Sequence, residues 1–379
     1  MSFVQKEADK LGGGIYLDYN ATSPIREEVK SAMIEAMAFP YNPSSIHEFG
    51  RIAKAIVEES RSDVLSLVGI DRSKSEYSMV FVSSGTEANN LIMHNFNSGR
   101  VLVSAVEHMS ILAHKEYKDN IDILPVHQNG MVDIHYLENW LKLNQGPKNL
   151  VSIMLANNET GIIQQLEEIS KIIGSYGVLF HSDVVQAVGK IDINIPEMGV
   201  DFATISAHKF GGPLGIGGLI YNRKYHIIPQ MIGGGQEMGA RSGTQNVAAI
   251  KGFGVAAELA KNNVSSVVEL RDMLESELLK IDPEIVIIGR DMARLPNTSL
   301  IIKPGVASSK QVISFDLRGV SVSAGAACSS GKVKPSHVLA AMGCSEELLN
   351  SAVRVSIGAS TTEQDVVRFI DIWKEIYCT

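Results

Sequence analysis

Between Tyr77 and Asn222 the chain alternates short apolar runs with amphipathic stretches of helical spacing, and few architectures accept that pattern. Strand candidates lie at 79–83, 101–106, 121–126, 150–156, 178–182, 201–207 and 217–222. Helical stretches at 86–97, 109–118, 134–143 and 165–175 fall between several of them. Strands that are apolar throughout are covered on both faces, and strands separated by helices pair in parallel. The expected body is therefore α/β, a mostly parallel central sheet with helices on both faces. Ligands of such sheets gather beyond the carboxyl ends of the strands.

Ile15 to Asp18 form a short strand-like run before this body. Ser23 and Pro24 read as the N-cap and first position of a helix carrying Ile25, Val29, Met33 and Met37. Asn42-Pro43-Ser44-Ser45 then breaks the chain ahead of an amphipathic helix from about Glu48 to Val68. After Gly233-Gly234-Gly235 a helical region near 246–280 leads to strands near 284–288, 297–302 and 320–324. Helices near 308–317, 335–342 and 361–376 complete a smaller α+β domain. The expected division is 15–255 for the large domain, and 1–14 with 256–379 for the small one.

A length of 379 residues allows two such domains. The net charge of −8 gives no pull toward nucleic acid or anionic lipid. No apolar run approaches the ~18 residues of a membrane span. The first fourteen residues carry neither a secretory nor a transit pattern. Three cysteines, Cys328, Cys344 and Cys378, with no close pair, argue against a disulfide framework or a zinc ribbon. The expectation is a cytosolic protein without a metal site.

The chemistry-bearing residues fall at strand ends. In Ser206-Ala207-His208-Lys209-Phe210-Gly211-Gly212 a lysine follows an apolar run and enters a Gly/Pro turn. Burial there can depress its pKa and make the amine a nucleophile, as a Schiff-base lysine requires, and pyridoxal phosphate is the commonest cofactor so held. Ser83-Ser84-Gly85-Thr86-Glu87 follows a strand and opens a helix, which makes either a phosphate cradle or an ordinary helix cap. His108 ends another strand and can stack on a flat ring and move protons, or simply cap the next helix. Asp183, in His181-Ser182-Asp183-Val184-Val185-Gln186, is a carboxylate at a buried strand tip; it needs a cation such as a protonated pyridine, unless it too is a cap. Cys328 sits among small residues that leave its sulfur open, with Lys332 and Lys334 nearby to favour the thiolate. Arg354 interrupts an apolar run, where its fork suits a substrate carboxylate or a structural carboxylate equally.

Together these motifs resemble the cysteine desulfurases of the NifS/IscS type, in the class V aminotransferase group. The resemblance runs from Tyr16-Leu17-Asp18-Tyr19-Asn20-Ala21-Thr22 to Ser356-Ile357-Gly358. It includes Asn42-Pro43-Ser44-Ser45, Ser84-Gly85-Thr86-Glu87, Glu107-His108, Asn157-Asn158-Glu159 and Arg241-Ser242-Gly243-Thr244. It implies the pyridoxal phosphate (PLP)-dependent transferase fold, fold type I. By the same resemblance Lys209 holds the cofactor as a Schiff base, Asp183 pairs with its ring nitrogen, Gln186 meets its ring hydroxyl and His108 stacks on it. Gly85, Thr86, Ser206 and His208 hold the phosphate, joined by Thr244 from the neighbouring subunit of a homodimer. Asn158 and Arg354 bind the substrate carboxylate and Cys328 is the nucleophile. The implied reaction removes sulfur from L-cysteine, giving L-alanine and a persulfide on Cys328 for an iron–sulfur scaffold or another acceptor.

The chain departs from the commoner family pattern at Leu214, Ala324, Ala326 and Ala359. Its end at Thr379 leaves out the longer tail that docks a scaffold, so the acceptor stays open. A selenocysteine lyase or aminotransferase on the same fold, and an inactive partner in a sulfur-transfer complex, are the rival readings.

Overall fold

The computed structural model describes residues 14–260, 266–325 and 335–378. The chain forms two compact units: Thr22–Asn157 with Ile163–Asn263, and Met1–Ala21 with Asn158–Ile162 and Val264–Thr379. The units part at 21/22 and 263/264, against the expected 14/15 and 255/256. Asn158–Ile162 belongs to the smaller unit through its backbone: the Gly161 carbonyl accepts from the Leu295 N–H at 2.8 Å and Ile162 bridges to Arg294. A five-residue excursion of this kind leaves no composition signal.

Strand β1 (Ile15–Tyr16) lies in the smaller unit. The larger unit contains β2 (Tyr77–Val82), β3 (Val101–Ser104), β4 (Ile121–Leu124), β5 (Leu150–Ser152), β6 (Leu179–Asp183), β7 (Phe202–Ser206) and β8 (Gly217–Asn222). Their spatial order is β2-β8-β7-β6-β5-β3-β4. Only β8 runs against its neighbours; every other pairing is parallel. Each residue of β6, β7 and β8 is buried, which is why these strands are apolar on both sides. The sheet core gathers Val80, Val82, Val103, Leu150, Phe202 and Leu219. The Ala- and Gly-rich helix Val247–Ala260 packs on the helices Glu27–Ala36 and Glu48–Leu67.

One expected helix starts elsewhere. It begins at Glu27 with Arg26 in the cap position, so Ser23 and Pro24 lie outside it. Ser23 is committed elsewhere: its N–H donates to the His208 carbonyl at 2.8 Å and its hydroxyl to the Lys209 carbonyl at 2.8 Å. A side chain spent on a distant turn cannot cap its own helix. The helical region expected near 246–280 is helical where it is described, at Val247–Ala260 and Ser266–Ile281.

In the smaller unit β9 (Val286–Ile287), β10 (Thr298–Ile302), β12 (Ser323–Ala324) and β13 (Ala352–Ser356) form an antiparallel sheet in the order β12-β13-β10-β9. Strand β11 (Val320–Ser321) pairs in parallel with β1. The core stacks Phe315 on Phe369 at 4.8 Å between ring centroids, beside the buried Trp373 of the helix Glu363–Tyr377. No helix among the described residues is long and apolar enough to cross a membrane.

Candidate active site

The carboxyl ends of the parallel strands carry one cluster within the larger unit. Strand β7 ends at Ser206, and a tight turn, Ala207–Lys209, follows at once. The Ala207 carbonyl accepts from the N–H groups of both Phe210 and Gly212. Ser23 fastens the carbonyls of His208 and Lys209 from outside, so the half-buried Lys209 stands on a doubly held backbone. His208 Nδ1 lies 3.2 Å from the Thr22 hydroxyl. Burial lowers the His208 pKa to about 4, with the positive charges of Lys209 and Lys190 adding to the effect. The imidazole is therefore neutral at pH 7 and presents one donor and one acceptor.

Strand β2 runs into Ser83-Ser84, and the helix Gly85–Asn95 begins there; the first turn of a helix carries N–H groups without an intrahelical acceptor and the positive end of its dipole. Ser84 is its cap, accepting from the Glu87 N–H at 3.1 Å. A methyl group on Gly85 would sit 3.2 Å from Val185 Cγ2 and 3.6 Å from Ser206 Cβ, so the helix start and the end of β7 are neighbours. The Ser206 hydroxyl is buried and has no hydrogen-bond partner among the described residues. Such a group costs free energy unless a ligand satisfies it. Thr86, the residue after Gly85, is exposed. Burial opposes ionisation of Glu87, but Arg241, donating from Nε at 2.9 Å, and Ser83 hold its pKa below the ordinary value.

Asp183 closes β6 and is buried. Its carboxylate accepts from the Val185 N–H at 3.0 Å and from Asn89 Nδ2 at 2.8 Å. Asn89 Nδ2 also donates to the Ser110 hydroxyl at 2.8 Å, and Ser110 lies 2.7 Å from His108 Nδ1. One string of contacts thus joins Asp183 to His108. His108 also caps the short helix Met109–Leu112, accepting from the Ser110 N–H at 3.1 Å. Gln186 accepts from Lys190 Nζ at 2.7 Å. His181 spends both ring nitrogens on the hydroxyls of Ser152 and Thr204, at 2.8 and 3.1 Å, and burial lowers its pKa to about 3. It is a structural histidine. Beneath His108, the fully buried Glu107 accepts from the Ser104 hydroxyl and the Met154 N–H; burial foremost, with the nearby Asp183 charge, pushes its carboxyl up to about 8.

Asn158 and Arg354 lie in the smaller unit and meet each other. Arg354, 3% exposed, donates to the Asn158 carbonyl at 2.9 Å and forms an ion pair with Asp18 at 2.6 Å, while its Nε has no acceptor among the described residues. Asp18 is thus a structural carboxylate partner of Arg354, met through Nη2 alone. Thr244 is exposed, three residues after Arg241. Cys328, Lys332 and Lys334 lie outside the described residues. Among the described residues no group of His, Cys, Asp or Glu could hold a metal ion.

The sequence pointed to no site role for Thr22, Asn89 or Ser110, and to a helix cap for Ser23. Asn89 could have been found, because a carboxamide on the inner side of a helix that opens a phosphate-type turn must have a buried partner. The residues present fit PLP. Asp183 is a buried carboxylate with no ion-pair partner among the described residues, as a protonated pyridine nitrogen requires, and the Ser206 hydroxyl awaits an acceptor or donor.

Residues 15–369 match the family model for the class V aminotransferases. The cysteine desulfurase IscS of Dictyoglomus turgidum is 38% identical over 377 residues, covering 96% of this chain and 94% of that protein. The X-ray structure of a NifS-like protein from Rickettsia africae superimposes with a TM-score of 0.91 at 44% identity, covering 97% of this chain and all of that one. The structure of SspA in complex with cysteine aligns with a TM-score of 0.78 at 27% identity, covering 92% and 100% of the two chains. With its strand-end lysine, buried carboxylate and phosphate-type turn in these positions, the chain belongs to the class V aminotransferase family, among the cysteine desulfurases, and is a pyridoxal phosphate enzyme.

Proposed function

We propose that this enzyme takes the sulfur of L-cysteine onto Cys328, releases L-alanine and passes the persulfide to an iron–sulfur scaffold or another carrier in the cytosol. The observation that carries the reading is the buried Asp183 carboxylate at the strand ends that also carry Lys209 and Ser206: among the described residues Asp183 has no partner cation and the Ser206 hydroxyl no hydrogen-bond partner. SspA, a structural neighbour held with cysteine, supports the substrate.

Lys209 would anchor the cofactor, with Asp183 to pair with its ring nitrogen, Gln186 with its ring hydroxyl, and His108 to stack on it. Gly85, Thr86, Ser206 and the neutral His208 receive the phosphate, with Thr244 contributed by a second copy in a homodimer. The bound cofactor draws electrons away from the substrate Cα and makes its proton acidic. The Lys209 amine would be the base that moves that proton. Asn158 and Arg354 hold the substrate carboxylate. The Cys328 thiolate then forms a bond to the substrate sulfur as the Cβ–S bond breaks. The electron pair of that bond stays with carbon, which takes a proton and leaves as the methyl group of alanine. Both sulfurs are oxidised by one level and the carbon is reduced by two, so the cofactor is returned unchanged. The Asn89–Ser110 string keeps His108 and Asp183 in register throughout.

The test is to incubate the purified enzyme with L-cysteine and a thiol, measuring alanine and sulfide. Equal yields are expected. Lys209→Ala should lose both the visible cofactor band and turnover. Cys328→Ser should keep the band and its response to L-cysteine but release no sulfide. Full turnover of Cys328→Ser with an amino acid and a keto acid would make the enzyme an aminotransferase.

A further inference from the structure

Among the described residues only two besides glycine adopt a left-handed backbone, and they are adjacent: Glu237 (φ 49°) and Met238 (φ 58°). A side chain makes that conformation costly, so it persists only where the surroundings hold it, and such places cluster at functional sites. Here the hold is on the Glu237 carboxylate, a buried group. Its Oε2 accepts from Arg61 Nη1 at 2.7 Å and from the Phe81 N–H at 2.9 Å. Its Oε1 accepts from Arg61 Nη2 at 3.2 Å and from the Gln245 side chain. Arg61, equally buried, lies 4.7 Å over the Phe81 ring and donates to the Met79 carbonyl at 2.6 Å, so the carboxylate is fastened to strand β2. The fourth donor, Gln245, is the residue after Thr244. The residue before Thr244 is held too, the Gly243 N–H donating to Gln236 Oε1 at 3.0 Å. Thr244 is thus exposed between two neighbours that are both tied to residues 236–237. Arg241, paired with Glu87 at 2.9 Å, and the Ser242 N–H, donating to the Met231 carbonyl at 3.0 Å, fasten the same segment further back. Residues 241–246 belong to no helix or strand, so these bonds fix their course in place of a backbone ladder.

We infer that Glu237 is a positioning residue for Thr244: through Gln245 its carboxylate sets where the Thr244 hydroxyl is presented, and so how firmly the phosphate of the cofactor is gripped. The inference rests on the reading above in which Thr244 serves the phosphate bound by a second copy. A loop ordered before binding spares the ligand the entropy of ordering it, so loosening the anchor weakens affinity without removing any group that touches the ligand. The loss falls on the phosphate alone, because the aldehyde and the ring are met by other residues.

The experiment strips the full-length enzyme of cofactor and dialyses it to equilibrium against PLP or against pyridoxal, the same aldehyde without the phosphate. Glu237→Ala and Gln245→Ala should each weaken PLP binding by roughly fivefold or more and keep pyridoxal binding within about twofold of wild type, the size expected for one lost hydrogen bond. Gln245→Ala leaves the Arg61–Glu237 pair whole and carries the test should Glu237→Ala not fold. Wild-type affinity for PLP overturns the inference, and so does an equal loss for both aldehydes, which is what a purely structural role gives. Thr244→Ala tests the reading beneath it and should lower the preference for PLP in the same way. If Thr244→Ala keeps the wild-type preference, the assignment of Thr244 to the phosphate fails. If Thr244→Ala loses the preference while Gln245→Ala and Glu237→Ala keep it, the anchor alone fails.

Discussion

Glu107 and His181 are fully buried ionisable groups under the cofactor platform, and they pull the pH dependence of stability in opposite directions. The Glu107 carboxyl titrates at about 8 in the folded chain against 4.5 for the free group. Between those values the native state binds the extra proton, so stability from this group is complete below pH 4.5 and drains away as pH rises through 8. The slope is about 1.4 kcal/mol per pH unit. Glu107→Gln keeps the acceptor for Ser104 and Met154 and removes that slope. Urea unfolding at pH 5 and pH 8 should therefore show the variant gaining on wild type by a few kcal/mol at the higher pH; parallel behaviour would mean the carboxyl does not titrate in this window. His181 behaves oppositely. Its folded pKa of about 3 lies below 6.5, so its contribution is complete above pH 6.5 and lost as pH falls toward 3. Replacing it should flatten the acid limb of the same curve.

At the scale of elements, the phosphate-type turn is held by how three strands end together. Gly217 opens β8 and pairs with Val82 on one side and Ser206 on the other. A methyl group there would stand 2.7 Å from the Ser84 carbonyl carbon, 2.9 Å from the Gly85 nitrogen and 2.9 Å from the Ile205 oxygen. All three are backbone atoms that cannot swing aside. Gly217→Ala should cost roughly 1–3 kcal/mol by overpacking and, because the strain falls on Ser84–Gly85, weaken cofactor affinity by more than tenfold. Equilibrium dialysis of PLP against the variant checks this; unaltered affinity would show that the cradle relaxes freely. The strands themselves were legible because burial on both faces forces apolar residues at every position, as in β6, β7 and β8. The strand-end placement of Lys209, Asp183 and His108 was legible for a related reason: an apolar run ends where a polar residue interrupts it, although a capping role, such as the one His108 has for Met109–Leu112, leaves the same mark. Thr22 and Ser23 were not. Their contacts bridge 186 residues to the lysine turn, and no periodicity encodes a hydrogen bond of that span. The membership of Asn158–Ile162 in the smaller unit was hidden for the same reason.

For the whole molecule the open structural question is how many chains complete one site. Thr244 is exposed on its own chain, and the segment before it exposes Ile228, Met231, Ile232 and Met238, with Ile232 at 87% and Met238 at 61%. Apolar side chains bunched that way on one segment suit burial against another protein surface, and a second copy that brings Thr244 to its partner's phosphate accounts for both features. The enzyme should then sediment at about twice the chain mass of 41.1 kDa. A sharper prediction comes from mixing defects. On the proposed assignment Lys209→Ala chains do not turn over, and Thr244→Ala chains should load the cofactor poorly when PLP is limiting. In a mixed dimer, one site pairs an intact Lys209 with an intact Thr244 if the threonine crosses the interface. Random pairing makes half the dimers mixed, with one good site in each, so coexpression in equal amounts should restore about a quarter of wild-type turnover at limiting PLP. If Thr244 serves its own chain, no combination of the two variants contains an intact site, and the mixture will do no better than the Thr244→Ala chains it contains.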